Sequence, residues 1–226
     1  MDRKEKIAIA IDGPAGAGKS TISKIISKNL KILYLDTGAM YRAVALKAIR
    51  EGIDTLDRDK VSEMVNNIDL KIVYSGESQR ILLDNEDVTS FIKTPEVSIG
   101  ASNVAVIPEV RLKMVELQRE IASKNSVVMD GRDIGTYVLP DAEFKFFLTA
   151  SVEERAKRRY NELIADNKHN VSFEDVKKDI EYRDKNDSSR EFAPLSKASD
   201  AIEIDSTDLS IEQVANKIME YIEKNG

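Results

Sequence analysis

Cysteine and tryptophan are both absent from this chain of 226 residues, and histidine occurs once, as His169. The lack of cysteine excludes disulfides and thiol catalysis and fits a reducing compartment. The one histidine lies in the polar connector Asn167-Lys168-His169-Asn170, whose lysine and asparagine offer no orienting partner, so it reads as solvated. Long hydrophobic runs are also missing. Nothing approaches a membrane span, and the apolar run near the N-terminus is too short for a signal peptide. Nor is there a basic excess: the formal charge is −6 and the pI about 5.1, which leaves no overall field to attract a nucleic acid backbone. These absences predict a cytoplasmic protein, a monomer by default, whose partners include neither nucleic acid nor membrane. With no internal repeat and no low-complexity linker, any subdomains are insertions into one domain, and 226 residues suffice for a substantial core.

What is present is concentrated in one motif. Gly13-Pro14-Ala15-Gly16-Ala17-Gly18-Lys19-Ser20 spells G-x-x-x-x-G-K-S directly after the apolar run Ile7-Ala8-Ile9-Ala10-Ile11, with a helical pattern behind it. Glycines let successive backbone N–H groups turn inward around a polyphosphate, and the helix N-terminus adds partial positive charge. Lys19 reaches the β- and γ-phosphates, the Ser20 hydroxyl is placed to hold Mg²⁺, and Thr21 follows at the start of the helix. The alternative is a glycine-rich turn that only packs a helix on a strand. The strand-before, helix-after context favours a nucleoside triphosphate site.

Apolar runs of strand length recur at 7–12, 32–36, 126–130, 143–149 and 201–205, with helical patterns at 19–29, 38–51, 108–124, 152–166, 172–188 and 211–224. This alternation predicts an α/β fold with a five-stranded parallel sheet flanked by helices. The strands are continuously apolar, as suits a sheet covered on both faces. Two regions break the rhythm. Leu70–Tyr74 and Arg80–Leu83 flank Ser75-Gly76-Glu77-Ser78 and read as an antiparallel hairpin outside the main sheet. Residues 151–194 read as two charged helices rich in arginine, either a solvated hairpin or a mobile lid over phosphates.

Asp36-Thr37-Gly38-Ala39-Met40-Tyr41-Arg42, Asp130-Gly131-Arg132-Asp133-Ile134-Gly135, Arg183-Asp184-Lys185-Asn186-Asp187-Ser188-Ser189-Arg190 and the late Ile204-Asp205-Ser206-Thr207 turn join the glycine loop. Together they closely resemble the bacterial cytidylate kinases, nucleoside monophosphate kinases of the P-loop superfamily, over essentially the whole chain. The resemblance implies one kinase unit with a core (1–36, 104–150, 191–226), an acceptor-binding region carrying the hairpin (37–103) and a helical lid (151–190). It implies transfer of the ATP γ-phosphoryl group to CMP and dCMP with Mg²⁺. It places ATP on residues 13–21 and CMP on Thr37, Tyr41, Arg42, Ser102, Arg111, Arg132, Asp133, Arg183, Asp187 and Arg190. Within those, Arg183 and Asp187 are implied contacts to the ribose hydroxyls, and Ser102 and Arg111 complete the base pocket.

The residues make chemical sense on their own. An acceptor phosphate has a second pKa of about 6, so it is already ionised at neutral pH and needs no general base. What the transfer needs is positive charge, supplied by Lys19, Arg132 and Arg159 around the moving group and by Arg42, Arg132 and Arg190 on the acceptor. The alternative for Arg42 and Arg132 is ordinary pairing with Asp36 and Asp133. Arg155 or Arg159 is expected to meet the ATP phosphates, whereas Arg158 sits four after Glu154 and suits a surface ion pair. Arg183, Asp187 and Arg190 share a helix face if the helix extends that far, and an exposed Arg183–Asp187 pair would contribute little. An ionised carboxylate welcomes the cytosine amino group and repels the uracil carbonyl. Asp133 is the candidate for that role; alternatively it is a buried partner of Arg132. Asp130, ending an apolar strand, either acts on Mg²⁺ through water or caps the following turn. Three rivals remain: a kinase for UMP or for another small metabolite, a nucleotide switch, for which the guanine-reading N-K-x-D motif is not found, and a nucleic-acid-processing ATPase, which the acidic balance disfavours.

Overall fold

A computed structural model describes residues 6–76, 78–165 and 171–226. The first strand, β1 (Ala8–Asp12), runs through the glycine loop into α1 (Lys19–Leu30), and β2 (Leu33–Asp36) passes directly into α2 (Thr37–Arg50). Then follow α3 (Arg58–Asn66), the strands β3 (Leu70–Ser75), β4 (Ser78–Leu83) and β5 (Glu86–Asp87), and α4 (Pro95–Val104). The chain continues with α5 (Pro108–Lys124), β6 (Val127–Gly131), β7 (Phe144–Thr149), α6 (Val152–Ala165), α7 (Phe173–Ser189), β8 (Ile202–Asp205) and α8 (Ile211–Asn225).

The main sheet is parallel throughout, in the order β2-β6-β1-β7-β8. Its residues alternate between two cores. On β1, Ile9 and Ile11 face α1 and α8 with Ile22, Ile26 and Ile218, while Ala10 faces the opposite core around Met40, Val44 and Met114. On β6, Val128 takes the first side and Val127 and Met129 the second. The register sets Asp12 opposite Gly131, Asp36 opposite Asp130 and Thr149 opposite Asp205, so the polar residues gather at the carboxyl edge of the sheet. Ligands of open parallel sheets bind at this edge, where the chain leaves β1 in one direction for β2 and later crosses to β7 in the other. Gly13 makes the tight exit possible: its φ is +147° and an added Cβ would lie 2.0 Å from the Leu148 carbonyl oxygen.

The five sheet strands and six of the helices lie within a residue or so of the sequence expectation, apart from Asp166, where the expected lid helix ended, and His169, which lie outside the described residues. Four features differ. The insertion has a third strand, β5, paired with β4 at Leu82–Asp87. Its first two strands reach Ser75 and Ser78, closer to the turn than expected. Helices α3 and α4 were unanticipated, although Asp57 caps the first by accepting Lys60 N–H at 3.1 Å and Thr94 caps the second by accepting Val97 N–H at 3.2 Å. A single π-helical turn over Ile134–Val138 also interrupts the segment after β6.

Candidate active site

The loop 13–18 delivers its last glycine, Gly18, in the left-handed conformation with φ +86°, and α1 starts at Lys19. Lys19 is buried and donates to the Pro14 carbonyl at 2.6 Å. Burial and the nearby Arg132 push its ammonium down to about 7. Ser20 donates to Asp130 Oδ2 at 2.7 Å, and Tyr34 donates to Asp130 Oδ1 at 2.9 Å. Burial and the neighbouring Asp36 raise the Asp130 carboxyl to about 6, against the opposing effect of Lys19. The main chain of Asp130 accepts Thr37 Oγ1 at 2.7 Å, so one residue ties the loop, β6 and the start of α2 together.

Beside the loop, Lys19, Arg42, Arg111, Arg132, Arg183 and Arg190 line a single cavity with Asp36, Asp130, Asp133 and Asp187, among others. Five guanidinium groups and Lys19 face four carboxylates there, in a chain whose overall charge is −6. Arg42 does pair with Asp36, at 2.8 Å, but Arg132 does not pair with Asp133. Its Nε donates to Asp187 Oδ2 at 2.5 Å, across from α7. Asp133 is held instead by Arg111 and, at 3.4 Å, by Arg190. The exposed Arg183–Asp187 pair considered from the sequence is not formed. Asp187 is buried, and although burial favours its neutral form, Arg132 and Arg190 more than offset this and hold the carboxyl below its ordinary value. Arg183 has no ion-pair partner among the described residues, and desolvation together with Arg132 lowers its guanidinium to about 10. Cations that depress one another's proton affinity in this way gain most from an anion placed among them. Tyr41 lines the same cavity under the Arg111 guanidinium, 5.7 Å from its ring centroid, with its hydroxyl pushed up to about 12 by burial. Ser102 accepts from Asn186 Nδ2 at 3.2 Å, which joins α4 to α7 at the cavity.

A second, larger cavity of about 870 Å³ shares Gly16, Lys19, Ser20, Arg42 and Arg183 with the first, and opens toward Thr21, Arg159 and the turn 206–210. Arg159 pairs there with Glu162 at 3.1 Å. Arg158 pairs with Glu154 at 3.0 Å, as its spacing suggested, and also donates to the Ser206 carbonyl at 2.6 Å. Arg155 departs from expectation. It lines neither cavity but is buried behind the loop, with Nε on the Ala150 carbonyl and Nη1 on the Ala15 carbonyl, each at 2.9 Å. The structure thus separates two arginines that sequence left equivalent. Sequence reading also missed Asp12. Its two carboxylate oxygens accept Ile134 N–H and Gly135 N–H, each at 2.8 Å, and so hold the turn that follows Arg132 and Asp133. Its position at the end of β1 was the available signal.

A loop-borne lysine, a carboxylate ending the adjacent strand and a ring of guanidinium groups on a parallel α/β sheet define a P-loop kinase. A solved structure with the same fold is a gluconokinase from Sinorhizobium meliloti, which is 12% identical, with a TM-score of 0.50 and coverage of 99% of this chain and 95% of that one. The sequence comparisons are more particular. The family model described as cytidylate kinase matches residues 9–224. The cytidylate kinase of Caldicellulosiruptor saccharolyticus is 53% identical over 220 residues, covering 97% of each chain. That of Bacillus subtilis is 48% identical over 221 residues, covering 98% of each. The chain belongs to the cytidylate kinase family and is a nucleoside monophosphate kinase.

Proposed function

We propose that the protein transfers the γ-phosphoryl group of ATP to CMP and dCMP, giving ADP and CDP or dCDP. The observation that carries this reading is the shared cavity in which Ala15, Gly16, Lys19 and Ser20 of the loop face Arg42, Arg132, Arg183 and Arg190. Two unit charges 4 Å apart repel by about 4 kcal/mol at an effective dielectric of 20, so two polyanions meet only where such a cluster neutralises them. Lys19 and Arg132 follow the charge as it spreads over the moving group, with Arg159 approaching from the lid side. Arg42, Arg132 and Arg190 grip the acceptor phosphate, whose own oxygen is the nucleophile. Thr37 and Tyr41 shape the wall behind it, and Arg183 and Asp187 meet the ribose.

Asp133 presents its carboxylate to the base, oriented by Arg111 and Arg190 and accompanied by Ser102. A carboxylate acceptor for the cytosine amino group discriminates against uracil by about 1–3 kcal/mol. Mg²⁺ fits the donors present, a Ser20 hydroxyl backed by the Asp130 carboxylate, because this ion keeps several waters and takes phosphate oxygens besides one or two protein groups. Ser20 would hold it directly and Asp130 through Ser20 or water, and its contribution when bound is to neutralise charge on the β- and γ-oxygens. Residues 151–190 act as the lid over a core and an acceptor region divided as the sequence suggested. No described helix is long and apolar enough to cross a membrane, and the partners proposed are the two nucleotides alone, acted on in the cytoplasm. Turnover measured across a panel of monophosphates tests the reading. CMP and dCMP should lead, and a preference for UMP would remove the role given to Asp133.

A further inference from the structure

Both lid helices reach the phosphate loop at one residue, Ala15. From α7, Asp184 Oδ1 accepts the Ala15 N–H at 3.3 Å, and from α6, Arg155 Nη1 donates to the Ala15 carbonyl at 2.9 Å. The two side chains are themselves paired, Nη1 to Asp184 Oδ2, at 2.7 Å, with the arginine side chain only 5% exposed. Gly16 completes the contact: its φ is +76°, and an added Cβ would lie 3.1 Å from both the Cβ and the carbonyl oxygen of Arg155. The loop is therefore seated directly on α6. The lid hairpin has other ties of its own, Lys177 to Glu153 at 2.7 Å and the edge-to-face pair Tyr160–Phe173, so it does not depend on this pair to stay together.

The neighbours of Asp184 on α7 are the acceptor residues. Arg183 precedes it, and Asp187, one turn on, holds Arg132 at 2.5 Å. One helix thus touches the donor loop and the acceptor cavity on successive residues. We propose that Arg155 and Asp184 are positioning residues that set the separation between the phosphate loop and the guanidinium groups of Arg132 and Arg183, so that donor and acceptor meet in line. Neither side chain lines either cavity, so the pair works through the loop and not on the substrates. The inference rests on the reading of the loop as the ATP site and of α7 as the acceptor helix.

The test uses the full chain and three variants: Asp184→Asn, Arg155→Lys, and the double change Arg155→Met with Asp184→Leu, which leaves no unpaired buried charge. Calorimetry gives the Kd of Mg-ATP alone and of CMP alone, steady-state assays give kcat, and product analysis gives the share of ADP formed by hydrolysis. Misplacement of reacting groups by about 1 Å costs on the order of 10²-fold in rate, so the double variant should lose about that much kcat. The single variants should lose less. Each binary Kd should stay within about threefold of the parent, and hydrolysis should take a larger share of ADP. A double variant with kcat within about threefold of the parent overturns the proposal, as does a loss of kcat matched by equal weakening of both binary affinities. If the double variant fails to fold, the same criteria apply to Asp184→Asn. Lys19→Met is the separate control: should it bind and use ATP like the parent, the donor-site reading itself has failed, whatever the pair does.

Discussion

Lys19 is the residue on which the proposed donor site turns, and its surroundings give it two measurable properties. Replacing it by Met removes a donor to the charge developing in the transition state, so kcat should fall on the order of 10²–10³ while the thermal midpoint stays near the parent value. Its ammonium is also held down to about 7 by burial and Arg132. A bound triphosphate favours the charged form and raises that value again. At pH 8 the free protein carries Lys19 mostly neutral, and ATP binding should draw up to about one proton from solution; at pH 6 the group is already charged and this uptake disappears. Calorimetric enthalpies in two buffers of unlike ionisation heat should differ at pH 8 in the sense of uptake, and identical enthalpies there contradict the assignment. Arg42 lines the same cavity, paired with Asp36. Arg42→Ala should raise the KM for CMP far more than that for ATP, and equal effects on both would mark a structural arginine. Sequence exposed these cations because their motifs are local. It offered Asp36 as a partner for Arg42, which the structure forms, but did not reveal the partners of Asp133 and Asp187, because Asp133–Arg111 and Asp187–Arg132 join residues 22 and 55 positions apart, and no spacing rule reports such contacts.

Among the elements, the main sheet was readable because β1 and β2 are apolar runs ending in Asp12 and Asp36 and β6 runs from Val127 to Met129 into Asp130, while β7 and β8 are interrupted only by Lys145 and Glu203; buried parallel strands favour such runs. Helices α3 and α4 carried readable caps, Asp57 and Thr94-Pro95, but their apolar faces are short and broken. In α4 the small residues Gly100 and Ser102 replace the expected hydrophobes: Gly100 has Ala45 and Thr55 only 3.1 Å from where a Cβ would be, and Ser102 faces the cavity. The third strand of the insertion has two residues, too few for any period. The π-turn after β6 is invisible to pattern altogether, because what holds it is Asp12, far away in sequence. Asp12→Ala would leave the Ile134 and Gly135 N–H groups buried without partners. At about 1–3 kcal/mol for each of the two unsatisfied groups, chemical denaturation should report a loss of roughly 2–6 kcal/mol. The KM for CMP should rise with it, since Arg132 and Asp133 precede the turn. An unchanged KM in the folded variant would separate the turn from acceptor binding.

For the whole molecule, charge is partitioned against its own average. An acidic chain, net −6, keeps a cationic cleft at the carboxyl edge of its sheet, with the loop on one wall and α2, α4 and α7 on the others. Composition reports only the average, while the cleft is a product of topology. That is why the class of reaction was readable from the loop and the arginine motifs, but the route by which α6 and α7 meet at Ala15 was not. Arg159, proposed as the lid cation, lines the second cavity and not the first. Arg159→Ala should lower kcat and leave the binary affinity for CMP unchanged, and a loss of CMP binding would place that residue elsewhere. The central claim is that the cations of this cleft bring ATP and a cytidine monophosphate together while Asp133 selects the base. Its most direct test is ADP release measured with CMP, dCMP and UMP in turn. Release should be rapid with CMP and dCMP and slow with UMP; absence of CMP-dependent ADP release, or a faster reaction with UMP, would contradict it.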